Sequence, residues 1–312
     1  MSQKKTASFS THRFQNYARF LVAYTLLVIL WGAWVRISHS GDGCGDHWPL
    51  CQGALIPEFQ QKKTWIEYAH RAMSGVFGIF ILCLFLWGRR ISQQFRSEKL
   101  FRFFLTASAI FTVTEALLGA QLVLKGLVGM DRSFDRSFFM GLHMVNSLCL
   151  SGSIAMVDYL SRSKHRHSFQ WKKQSLFAAF LLFLLMISSF GSVASLSTTL
   201  FPHSDLMESF RQEFSSSKHW ILAWRSLHPV FAILGGLIFL SLFRWKFSEP
   251  DSGKMKELRL LAIVLTAALS IGVLTLLLQS PLVLKLLHLS LAHGIWMLSL
   301  RFLFPANDPH LS

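Results

Sequence analysis

The chain has 312 residues, 52% hydrophobic and 15% charged, with 31 Lys and Arg against 16 Asp and Glu. A soluble domain carries about 25% charged residues, so a water-soluble globule is excluded, and the apolar content is far too high for a disordered chain. The net charge of +15 does not indicate nucleic acid: no RNA- or DNA-binding motif is present, and the cations gather in particular loops between apolar runs.

Those runs are long enough to cross a bilayer, which takes roughly 20 residues for a 30 Å hydrocarbon core. They predict eight helices, over about 18–37, 66–88, 103–124, 138–160, 175–197, 221–243, 260–280 and 282–303. The first has no small-residue cleavage site after a short apolar core, so it reads as a retained anchor and not as a signal peptide. Orientation follows from Lys and Arg. Twenty of the 31 fall in the N-terminal segment, in the loops after the second, fourth and sixth helices, and at Arg301. That side is expected to be cytoplasmic, with both termini inside and a bacterial cytoplasmic membrane as the location. The long loops over about 38–65 and 198–220 then face outward.

In the first outer loop, Cys44 and Cys51 flank the segment GDHWPL. Six intervening residues close a small ring readily, and an outward loop is where a disulfide survives. A metal pair with His47 as third ligand is the alternative, and free thiols a further one. Cys83 and Cys149 lie inside apolar runs and read as packing residues.

Of 13 His, eight sit in predicted loops or tails, His167 among them, where solvation is the ordinary state. His70, His143, His228, His288 and His293 lie within spans, where an ionisable side chain marks function by default. His70 is on the second helix, His143 on the fourth, His228 on the sixth and His288 on the eighth. All four helices enter from outside, and each His lies about five to eight residues in. At about 1.5 Å per residue, they share a layer roughly 10 Å deep. His293 is five positions beyond His288, about 140° round the helix, and reads as a packing residue.

The arrangement repeats. Helices one to four and five to eight each carry a His on their second and fourth members, and an even number of spans per half gives both halves the same orientation. HRAMSGVFGIF from position 70 resembles HPVFAILGGLIF from position 228, and Gly119 and Gly272 sit in matching apolar contexts. The expected fold is therefore an all-α integral membrane protein, its eight transmembrane helices arranged as two pseudo-repeated four-helix bundles. The divisions are an N-terminal tail over 1–17, a first half over 18–160, a linker over 161–174, a second half over 175–303 and a tail over 304–312. The tails and the linker are cytoplasmic.

Two His facing one another across a four-helix bundle can hold a haem iron at both axial positions. Ser74, Gly75 and Gly78 after His70, and Ala232, Gly235 and Gly236 after His228, leave room for a flat macrocycle. Glu67, three residues before His70, lies on the same helix face, either as a working carboxylate or as an interfacial acid. Glu115, mid-helix in the third span, is expected to face the bundle interior. Arg71 and Arg225, near outer helix ends, are placed either to meet haem propionates or to snorkel.

The stretch GAWVRISHSGDGCGDHWPLCQGALIP resembles the first-loop signature of the haem A synthase family, and EYAHRAMSG matches its Glu-x-x-His-Arg motif. ALLGAQLVL and GVLTLLLQSPLVLKLLH are similar to its third, seventh and eighth helices. The resemblance covers about 18–303. It implies an enzyme that oxidises the C8 methyl of haem O to a formyl group, giving haem A for terminal oxidases. By the same resemblance the catalytic set is Glu67, His70 and His143 around the substrate haem O, and His228 and His288 ligate a haem b. All four His are then haem-iron ligands. Haem O synthase and terminal oxidase assembly factors are the implied partners. The chain departs from the family pattern at Pro229, where an Arg is expected after His228, and within SHSGDGCGDHWPLC, and the loop over 198–220 lacks a Cys pair. The competing readings are a membrane b-type cytochrome that moves electrons without modifying its haem, which needs no Glu67, and a repeat-built transporter, against which the single outward layer of His argues.

Overall fold

The computed structural model describes residues 2–58, 61–169, 171–202, 207–208, 211, 219–246 and 252–306. Most of the predicted outer loop over 198–220 and the tail beyond 306 lie outside the described residues. The elements are α1 Ser2–Ile37, α2 Lys62–Ile91, α3 Glu98–Leu124, α4 Phe134–Arg162, α5 Trp171–Leu200, a short α6 Trp220–Arg225, α7 Leu227–Lys246, α8 Ser252–Leu277 and α9 Leu282–Leu303. Among the described residues there is no strand, only the isolated bridges Cys51–Ala54 and His167–Ala306. Eight spans are long and apolar enough to cross a membrane, α6 and α7 counting as one.

The helices outrun the apolar stretches that predict them. α2 and α4 each begin four residues before the expected position, because helical hydrogen bonding continues into the polar flank. At α4 the Ser133 side chain caps the end by accepting from the Arg136 backbone N–H at 3.2 Å. α8 stops three residues short of the expected 280. There the chain reverses through Gln279 and Ser280, both with φ near +60°, and Pro281 opens α9.

Two closed rings of helices result. α1 packs on α2, α2 on α3, α3 on α4 and α4 on α1. In the second half α5 packs on α6 and α7, α7 on α8, α8 on α9 and α9 on α5, the same cyclic order. The rings meet where α4 touches α5 and α9, and where α1 touches α9. α4 is accordingly the most enclosed span, with 67% of its apolar window buried. His293 of α9 is fully buried at this seam, hydrogen-bonded through Nδ1 to Ser151 Oγ of α4 at 2.9 Å, which agrees with its reading as a packing residue.

Each half is filled at one end and hollow at the other. Phe14, Leu21, Leu84, Phe101, Leu105 and Leu160 form a dense core in the first half, and Phe177, Phe239, Leu261, Leu265 and Ile295 in the second. These residues lie toward the ends that the charge count assigns to the cytoplasm. The opposite ends enclose the cavity described below.

At the filled end, His167 departs from its expected solvated state. It is 6% exposed, its backbone N–H donates to Ser97 Oγ at 2.8 Å, and its ring contacts Ser163 Oγ at 2.6 Å and Phe304 O at 2.8 Å. It ties the α2–α3 connection and the end of α4 to the end of α9. Burial pushes its pKa below the ordinary histidine value.

Candidate active site

The four span histidines line one cavity of about 950 Å³ that reaches into both halves. Small-molecule sites usually enclose about 300–1,000 Å³, so this one has room for a large ligand. Its wall is mostly apolar, with Glu67, Glu115, Arg36, Arg136, Arg225 and Lys285 among the charged exceptions.

Each imidazole lies against a glycine of the preceding span. A Cβ built on Gly32 of α1 would sit 2.8 Å from His70 Cε1, and one on Gly191 of α5 would sit 2.8 Å from His228 Cε1. On Gly272 of α8 it would sit 3.1 Å from His288 Cε1, and on Gly119 of α3, 4.0 Å from His143 Cε1. The pairing thus recurs in α1 with α2, α3 with α4, α5 with α7, and α8 with α9. Gly32 and Gly191 escaped sequence reasoning; the signal available was one glycine toward the C-terminal end of every odd-numbered span. Gly75 and Gly78 border the cavity as expected. Gly235 and Gly236 do not, being packed against Phe183 and Leu269, because the turn of α7 aims them at neighbouring helices.

His228 and His288 face one another, ring centroids 6.0 Å apart and planes at 86°. Nδ1 of His228 is 2.9 Å from Ile187 O, and Nδ1 of His288 is 3.0 Å from Ala268 O. A carbonyl only accepts, so each ring donates from Nδ1 and keeps Nε2 as its bare nitrogen. Two imidazoles bound to one metal from opposite sides have centroids about 6 Å apart, from two bonds of about 2 Å and half of each ring. The observed spacing fits. Among the described residues no group of three or more His, Cys, Asp and Glu gathers as a metal-ion site. Imidazoles in pairs suit a metal whose remaining donors come from a planar macrocycle.

In the first half, Glu67 is 3% exposed and both its oxygens are engaged. Oε2 accepts from the Cys44 backbone N–H at 2.8 Å and Oε1 from Arg71 Nη2 at 2.6 Å. Arg71 Nη1 also donates to the carbonyls of His47 and Leu50, each at 2.6 Å. Cys44 and Cys51 form a disulfide, which removes the alternative of a metal pair with His47. The Glu67–Arg71 pair therefore clamps a covalently closed loop across the hollow end of the bundle. That loop contributes Trp48 and Pro49 to the cavity wall. Gly43 permits the approach: a Cβ there would lie within 2.6 Å of the Lys63 carbonyl oxygen, and Gly43 O accepts from Thr64 Oγ1 at 2.8 Å.

Glu115 faces the bundle interior. It accepts from Asn146 Nδ2 at 2.5 Å and from Ser147 Oγ, and Oε2 lies 3.6 Å from His143 Nδ1. Arg36 crosses between the halves, donating to Ser192 O at 3.2 Å and Ser195 Oγ at 2.9 Å of α5. Arg225 is buried rather than snorkelling.

The Cytochrome oxidase assembly protein family, COX15-CtaA, matches residues 15–300, and the chain belongs to that family. A Protoheme IX farnesyltransferase of Thermus thermophilus is 33% identical over 307 residues, covering 97% of this chain and 49% of that protein. A Heme A synthase of Exiguobacterium sibiricum is 32% identical over 154 residues, 49% of this chain and 48% of that protein. A Heme A synthase of Alkalihalophilus pseudofirmus is 38% identical over 114 residues, 36% of this chain and 37% of that protein. The chain spans about half the length of the Thermus protein, and its matches to the two synthases cover less than half of each.

Proposed function

We propose that this chain is a haem A synthase, an oxidoreductase of a bacterial cytoplasmic membrane that converts the C8 methyl of haem O to a formyl group for terminal oxidases. The observation that carries this reading is the facing pair of His228 and His288, 6.0 Å apart, with both Nδ1 atoms held by carbonyls. In it, His228 and His288 hold a resident haem b in the 175–303 half. His70 and His143 hold the substrate haem O in the 18–160 half.

A bound haem supplies the redox chemistry. The chain's own residues position, enclose and polarise. Gly32, Gly191 and Gly272 let His70, His228 and His288 lie close to the preceding helices, whereas a Cβ at Gly119 would meet His143 only at an ordinary 4.0 Å. Arg36, Arg225 and Lys285 are the cations we assign to propionate carboxylates, in place of the arginine that Pro229 replaces. The disulfide loop, held by Glu67 and Arg71, shields the outer end of the substrate half from water. Glu67 also puts a carboxylate in the cavity wall, where it stabilises positive charge developing at the methyl carbon.

Membership of the oxidase assembly family and the Heme A synthase relatives support the reading. The Thermus relative supports it in another way. The family match spans residues 15–300 here, so we assign farnesyl transfer to the part of that longer protein outside the match. Haem O is the farnesylated haem, so joining the two activities would deliver one enzyme's product to the other. Haem O synthase is accordingly the partner we infer, ahead of oxidase assembly factors.

The test is to express the chain with a haem O synthase, extract the haems and identify them by mass. Haem A is the expected product. Bound haem b with no haem A from haem O would favour an electron-transfer cytochrome, and absence of haem from the purified protein would overturn both readings.

A further inference from the structure

The four imidazoles are held in different ways. His228 and His288 donate to main-chain carbonyls of Ile187 and Ala268. Each carbonyl belongs to the residue four before the facing glycine, Gly191 or Gly272. The same position in α3, four before Gly119, is Glu115. There a side-chain carboxylate oxygen lies 3.6 Å from His143 Nδ1.

The hydrogen bonds around that carboxylate run in one direction. Thr114 Oγ1 donates to Asn146 Oδ1 at 2.6 Å. Asn146 Nδ2 donates to Phe111 O at 2.9 Å and to Glu115 Oε2 at 2.5 Å. The Ser147 hydroxyl donates to Oε1. The Thr114 bond orients the Asn146 amide, and the amide and the Ser147 hydroxyl both end on Glu115. Such a set of donors suits an acceptor-only carboxylate. The 3.6 Å separation is longer than a hydrogen bond; a ring that closes on the carboxylate donates from Nδ1 and leaves Nε2 bare for a metal.

We propose that Glu115 is a positioning residue that fixes the tautomer and orientation of His143 and makes it a carboxylate-backed iron ligand. The proposal rests on the bis-His haem reading above. It makes the first half asymmetric. Nδ1 of both His70 and His143 lacks a hydrogen-bond partner among the described residues, but His143 has a carboxylate oxygen 3.6 Å away and His70 has none paired with it. One firm and one lightly held ligand suit a haem that must arrive and leave. Two carbonyl-backed ligands suit a haem that stays.

The test uses protein purified from cells that also make haem O, so that both halves are loaded, and measures the midpoint potential of each haem. Glu115→Gln keeps size and an acceptor oxygen but removes the charge that favours oxidised iron. We expect the haem at His143 to rise by about 59 mV, a tenfold change in relative affinity for the two iron states, while the haem at His228 and His288 stays unmoved. Glu115→Leu removes the acceptor and should weaken haem retention in the first half by about 10–100-fold, with Gln restoring most of it. Unchanged potentials and retention in both variants would overturn the proposal, as would equal shifts in both haems. If Leu prevents folding, the Gln potentials alone decide. A His143→Ala variant that keeps both haems with unaltered potentials would instead overturn the ligand assignment beneath it.

Discussion

Replacing Gly191 by Ala isolates the packing of a ligand against its neighbouring helix. The added Cβ would lie 2.8 Å from His228 Cε1, 3.1 Å from Nδ1 and 3.4 Å from Nε2. Carbon contacts settle at about 3.5–4.0 Å, so the ring must retreat from α5 by roughly 0.7–1.2 Å. Its bond to Ile187 O, now 2.9 Å, starts on the same helix and stretches beyond hydrogen-bonding range, about 3.2 Å for a good N–H···O contact. The 6.0 Å spacing to His288 is disturbed by the same movement. Losing the contact that orients a metal-ligating His typically costs about 10–100-fold in affinity. Ala favours a helix over Gly by about 1 kcal/mol, so a loss cannot be blamed on the backbone of α5. Gly119→Ala is the control: its Cβ would meet His143 Cε1 at 4.0 Å, an ordinary contact, and should leave haem content unchanged. The assay is haem per protein and the absorption spectrum of purified variants, alongside thermal unfolding. Gly191→Ala with full haem and an unaltered spectrum would refute the reasoning, as would a Gly119→Ala variant that loses as much.

Glu67→Gln should bind haem O but lower haem A formation by a factor on the order of 10²–10³; normal haem A in co-expressing cells would leave Glu67 with its loop-holding role alone. That variant also leaves the half-buried Arg71 without its charge partner, so Arg71→Gln should loosen the same loop, read as faster proteolysis between 44 and 58. Cys44 and Cys51 should resist thiol labelling until a reductant is added, because they are joined; labelling in untreated membranes would contradict the disulfide. The folded pKa of His167 lies below its unfolded value of about 6.5. Its contribution to stability is complete above about pH 6.5 and falls as pH drops below that value, since the unfolded chain takes up the proton first. A His167→Gln variant should show a shallower loss of thermal stability between about pH 6.5 and 5, and an unchanged slope would dismiss His167 as the cause.

Eight spans, their pairing into similar halves and the layer of His70, His143, His228 and His288 are legible along the chain because each is a local property. A run of apolar residues reports its own length, and a His a fixed number of residues past a helix end reports its own depth. The closeness of Cys44 to Cys51 is likewise a matter of chain length. Tertiary structure alone decided which groups meet across helices. Rotation of α7 about its axis sends Gly235 and Gly236 into packing while Gly191, on another helix, becomes the surface under His228. Glu67 sits on the predicted face, yet its partners come from a loop more than 20 residues earlier and from Arg71. Glu115 acquires its meaning from Asn146, Ser147 and His143, 28 to 32 residues away. His167 lies in a polar, cationic stretch and is buried because the α2–α3 connection and the end of α9 close over it. Hydrophobic periodicity carries depth and facing, but the register between two helices depends on how their side chains interlock, and no single stretch of sequence contains both surfaces.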